Sequence, residues 1–148
     1  MVVAIIIFIV VIIGWFLIDR NRMIVKLKNE GGIRSKYREL IDLMLAGHPN
    51  NKIFREDSTS LDLGVSSFGT STTFTLLMAF KTITISYHVR SEIFGNHSLK
   101  WDFGANDNQE FMFRYISKDI EKYFENNISK IEDSQMKYIK KMNDKLEL

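Results

Sequence analysis

The chain of 148 residues contains no cysteine. That absence excludes a disulfide framework, a thiol nucleophile and an anchor attached through a lipidated cysteine. Proline occurs once, at Pro49, and no repeat or low-complexity stretch marks a linker between two domains. Histidine is scarce as well. His48 falls in a helix-ending turn, His88 on the polar side of a strand pattern and His97 in a hairpin turn. No two of them stand at the spacing of a metal-ligand pair, so each reads as a solvated side chain and no metal is expected.

Catalytic motifs are missing too. A Gly-x-Ser-x-Gly elbow does not occur, and a serine nucleophile would need a base and a carboxylate brought from elsewhere. The stretch GVSSFGTSTTF, residues 64–74, has the glycines and hydroxyls of a phosphate cradle. It lacks the lysine and the following helix of a P-loop, so it reads as a hydroxyl-rich loop and strand edge. The pairs Glu56-Asp57 and Glu132-Asp133 are sequence neighbours, whereas acid–base work needs two carboxyls in one cleft with separated pKa values. No catalytic, cofactor-binding or metal-binding residue is therefore predicted. The chain is expected not to be an enzyme, the alternative being a site assembled only in three dimensions from scattered Ser, His and Asp.

What is present begins with an apolar run. Val2 to Ile18 carries no charge and includes seven isoleucines, and as a helix it extends about 25 Å, near the hydrocarbon thickness of a bilayer. No Lys or Arg precedes it and bulky residues occupy the place of a cleavage site, which argues for a retained anchor over a cleaved signal. Trp15 stands where an interfacial aromatic belongs, and Arg20, Arg22, Lys26 and Lys28 follow as membrane-interface cations. Residues 19–38 carry a net +5 and the remainder −3. By the positive-inside tendency, the expectation is a single-pass cell-membrane protein with its N-terminus outside and its C-terminal domain cytoplasmic. A cytoplasmic domain would leave the triplets Asn96-His97-Ser98 and Asn127-Ile128-Ser129 unglycosylated. A basic cluster outside the folded domain also argues against nucleic acid as partner; anionic lipid is the alternative reading of these cations.

The expected division is an anchor over 1–18, a basic juxtamembrane linker over 19–32, an α+β domain over 33–127 and a helical tail over 128–148. Ile33, Tyr37, Leu40, Ile41 and Met44 form one helical stripe over 33–46, which Gly47 should end with a left-handed cap before Pro49. Period-two alternation then predicts strands: 52–56, Leu61 to Val65, Phe74 to Phe80, Ile83 to Val89, and Leu99 to Phe103 after a turn at Gly95-Asn96. Their close succession leaves no room for helical crossovers. The fold class is thus α+β, with an antiparallel meander of four or five strands flanked by helices. In DNQE, Asp107 is read as the N-cap of the next helix and Glu110 as its reciprocal arm. Beyond Asn127, Ile128, Ile131, Gln135, Tyr138 and Met142 make a short heptad-like stripe.

The segments FGNHSLKWDF and QEFMFRYISKDIEKYF, within the helix, meander, helix order of residues 34–125, resemble small uncharacterised bacterial proteins with the layout of the type III secretion chaperone-like fold. The resemblance implies no activity and favours protein binding only by analogy. The expected function is that of a membrane-anchored accessory subunit whose domain binds a protein partner. On the last helix Phe111 and Tyr115 fall outside the core arc of Met112, Ile116 and Ile120. They need cover, from the tail or from a partner. Leu77 and His88 lie on the sheet face that turns away from the helices, which is either simply wet or a second partner surface.

Overall fold

The computed structural model describes residues 2–29, 31–127, 132–133, 135–137 and 139–140. The elements are α1 (Val2–Asn29), α2 (Gly32–Lys36), α3 (Arg38–Ala46), β1 (Lys52–Glu56), β2 (Ser60–Ser67), β3 (Thr70–Ala79), β4 (Thr82–Ser91), β5 (Gly95–Gly104) and α4 (Gln109–Asn126). The strands form one antiparallel sheet in chain order, β1-β2-β3-β4-β5. Alternation decides its sidedness. Ile83, Ile85, Tyr87 and Val89 of β4 are buried, while Thr82, His88 and Arg90 are exposed and Thr84 and Ser86 half-buried on the opposite face. Leu61, Leu63, Leu76, Met78 and Trp101 join the buried face, on which Ile33, Leu40, Ile41 and Met44 pack from α2 and α3 and Met112 and Ile116 from α4. Each fully buried aliphatic side chain contributes about 1.5–3 kcal/mol. These contacts hold the helical layer to the sheet.

At Gly64 the backbone itself supplies the contact. Its φ is +153°, and a Cβ there would lie 2.0 Å from the Thr72 carbonyl oxygen, so β2 and β3 approach more closely than any side chain permits.

Three local expectations differ from the structure. The helix over 33–46 is broken at Tyr37 (φ −110°, ψ 32°) into α2 and α3. Gln109 bridges the break: its Oε1 accepts from Leu40 N at 3.0 Å and its Nε2 donates to the Lys36 carbonyl at 3.0 Å. Two groups orphaned at the helix ends are thereby satisfied from α4. Gly47 does not adopt the left-handed cap; its φ is −63°. The N-cap of α4 is Asn108, whose side chain accepts from Phe111 N at 2.8 Å, because Asp107 instead accepts from Gly104 N at 2.8 Å. Glu110 pairs with Arg114 and not with the cap.

The membrane anchor is also corrected. Among the described residues no helix is long and apolar enough to cross a membrane. The apolar run lies within α1, which spans Val2–Asn29. From Asp19 onward the same helix carries charges, and residues 19–29, expected to be a linker, continue it without a break. The single-pass, N-out and C-in localisation therefore does not stand, and Trp15, Arg22, Lys26 and Lys28 are exposed residues of α1 with no membrane role assigned. Arg20's side chain and the tail positions Ile128, Ile131, Tyr138 and Met142 lie outside the described residues.

Candidate protein interaction site

The residues singled out from sequence fall into separate places. Phe111 and Tyr115 are 57% and 51% exposed on α4. Their ring centroids are 6.1 Å apart, and Tyr115 meets Phe103 of β5 edge-on at 5.9 Å. Leu77 and His88 are exposed on the far side of the sheet, in the rows Ser60–Leu77–Thr84–Asp102 and Thr73–His88–Ser98. Four residues along β4 separate these rows, about 13 Å. The sheet lies between the α4 pair and the Leu77 and His88 pair, so the four do not form one surface.

A different cluster comes together at one end of the sheet. The β2–β3 turn carries Phe68, whose side chain is fully exposed, and the β4–β5 turn carries the exposed Ile93 and Phe94. Both turns end in a glycine with left-handed backbone, Gly69 at φ 77° and Gly95 at φ 83°, a conformation open to glycine and strained for other residues. Chain order makes these two hairpin ends neighbours. Glu92 N donates to the Gly69 carbonyl at 3.3 Å, joining turn to turn.

Side chains then fix the second turn. The Ser91 Oγ accepts from Ile93 N at 3.2 Å and from Phe94 N at 3.1 Å. With both lone pairs occupied, its hydroxyl donates to Thr70 Oγ1, 3.1 Å away on β3. His97 is not the solvated histidine of the sequence reading. Its Nε2 donates to the Phe94 carbonyl at 2.7 Å, and its Nδ1 lies 3.1 Å from the Tyr123 hydroxyl near the end of α4. Tyr87, behind the tip, packs between Phe74 and Phe124, and burial raises its hydroxyl pKa above the ordinary value. Three apolar side chains thus project from a frame tied to β3, β4, β5 and α4.

Beside them, Ser66, Ser67, Ser71, Arg90, Glu92 and Asn96 line a polar cleft of about 460 Å³. Arg90 forms no ion pair among the described residues. Both charge signs are present at its rim.

Sequence reading missed this cluster because each turn looked ordinary alone. Its one local mark is the dipeptide Phe-Gly occurring in both turns, at Phe68-Gly69 and Phe94-Gly95. No group of three His, Cys, Asp or Glu side chains among the described residues is placed to hold a metal ion. His88 and His97 lie on opposite faces of the sheet.

No family model matches this chain, and no curated protein and no solved structure matches it either.

Proposed function

We propose that this chain is a protein-interaction module that engages its partner through the joined turns bearing Phe68, Ile93 and Phe94. The observation that carries the reading is the full exposure of Phe68 beside two further apolar residues on turns locked to one another. Exposed aromatics held by a preformed frame bind with little ordering cost, and such residues dominate interface energetics. The rim supports a polypeptide partner. Arg90 and Glu92 stand with hydroxyls and Asn96, whereas a reader of anionic lipid would present cations without a carboxylate among them. The helix, meander, helix layout points the same way by analogy.

Site-specific photo-crosslinking in cells tests the proposal. A photoreactive residue at position 68 is expected to capture one discrete polypeptide, and the same residue at Lys81, on the opposite end of the sheet, is not. Phe94→Ser should remove the adduct with the thermal midpoint nearly unchanged. Equal capture from both positions, or capture of lipid alone, would overturn the reading.

A further inference from the structure

The two edges of the sheet are built differently. β1 is short, five residues, and its register with β2 slips between Ile53 and Arg55. A short, bulged edge discourages further strand pairing. β5 has neither protection. It runs for ten residues in unbroken register with β4, from Ser91↔Gly95 to Thr82↔Gly104, and contains no proline.

Backbone direction along β5 follows from two bonds at its end. Ala105 N donates to the Lys81 carbonyl at 2.7 Å, whereas Gly104 N turns away and donates to Asp107. In an antiparallel ladder the inward and outward residues alternate. The odd positions from Gly95 to Phe103 therefore bond β4, and Asn96, Ser98, Lys100 and Asp102 direct their N–H and C=O groups outward. Among the described residues those groups meet no partner.

We propose that β5 pairs antiparallel with β5 of a second copy about a two-fold axis at Trp101, extending the sheet to ten strands. Only registers that set even positions against even positions use the outward groups, and charge selects among them. Centring on Trp101 places Lys100 opposite the partner's Asp102 and Asp102 opposite the partner's Lys100. Centring on Lys100 would oppose two lysines, a destabilising pair, and centring on Leu99 would set both charges against neutral residues. Within one chain Lys100 and Asp102 are already 4.0 Å apart on the exposed face, so the pattern is self-complementary.

The exposed aromatics of α4 fit the same arrangement. Tyr115 packs on Phe103, Asp119 accepts from Trp101 Nε1 at 2.8 Å and Tyr123 meets His97. These steps of four place α4 along β5, at the edge where a second copy adds its strand and helix. Phe111 and Tyr115 then face the partner. This surface is separate from the joined turns and does not depend on their role.

The test is sedimentation equilibrium of the full chain in a mild detergent, so that association through the exposed apolar residues of α1 does not contribute. A concentration-dependent dimer is expected. Lys100→Asp alone and Asp102→Lys alone should each weaken it roughly ten-fold, through two like-charge cross-strand pairs of up to about 1 kcal/mol each. The double variant, with opposite charges facing again, should return to within about three-fold of the parent. Ser98→Pro, which removes one outward N–H from an edge position, should weaken the dimer while the melting of the dilute monomer stays close to the parent's. A chain that is monomeric throughout, a dimer indifferent to both single changes, or a double variant without recovery would each overturn the proposal.

Discussion

At the scale of single residues, two side-chain positions carry consequences that burial alone would not reveal. Gly64 is needed because β3 passes where its Cβ would be, 2.0 Å from the Thr72 oxygen. Gly64→Ala has no flexible neighbour to displace, since the clash is with backbone, and the φ of +153° adds strain of its own. A loss of about 3 kcal/mol or more is expected in urea unfolding. Gly69, whose Cβ would meet nothing within 4 Å, should lose only the smaller cost of its left-handed φ. Tyr37 is the other case. Its hydroxyl donates to the Ala105 carbonyl at 2.9 Å in a buried setting, and burial, with the charge of Asp107 second, pushes its pKa from 10.0 up to about 12. The unfolded chain then ionises first as pH rises. This contribution to stability is complete below pH 10 and is lost between about pH 10 and 12, a difference on the order of 2–3 kcal/mol. Tyr87 acts in the same direction. Tyr37→Phe should cost about 1 kcal/mol at pH 7, from the lost hydrogen bond, and should lose less stability than the parent on going to pH 11. Parallel pH profiles for the two proteins would rule the account out.

At the scale of elements, the sheet was legible in the sequence and several helix ends were not. Ile83, Ile85, Tyr87 and Val89 alternate with Thr84, Ser86 and His88 because one face of a strand is buried and the other is wet. That pattern is local. The break at Tyr37 has no comparable local mark, since it depends on Gln109 arriving from α4 to satisfy Leu40 N and the Lys36 carbonyl. Asp107 and Asn108 are both suitable caps for α4, and only the turn back to Gly104 N decides between them. The α4 stripe was readable for the same reason as the strands: Met112 and Ile116 are fully buried one turn apart, while Phe111 and Tyr115 are exposed. The joined turns were the least visible feature. Phe68-Gly69 and Phe94-Gly95 each suit a turn, but their union rests on the bond from Glu92 N to the Gly69 carbonyl between separate hairpins. What sequence pattern yields is periodicity; what it withholds here is which turn and which cap meet in space.

At the scale of the whole molecule, the described elements share one core that begins before the α+β domain drawn from the sequence. α1 continues through the charged segment to Asn29, and near its end Leu27 is only 2% exposed, in the same core as Ile33 and Met44. Ile33 N in turn donates to the Ser58 carbonyl at 3.0 Å, which ties the start of α2 to the β1–β2 connection. This attachment sits at the opposite end of the sheet from Phe68 and Phe94, about 30 Å away along the ten residues of β4. The joined turns therefore project away from the place where α1 enters the fold. If the last turns of α1 belong to the cooperative unit, Leu27→Ala should lower the unfolding free energy by about 2–5 kcal/mol through lost burial and the cavity left behind. Val25→Ala, two residues earlier on the exposed side, should change it by no more than about 0.5 kcal/mol. Both variants should retain the position 68 crosslink, because neither reaches the far end of the sheet. Equal effects of the two substitutions on stability would place α1 outside the folding unit and restore the domain boundary at residue 33.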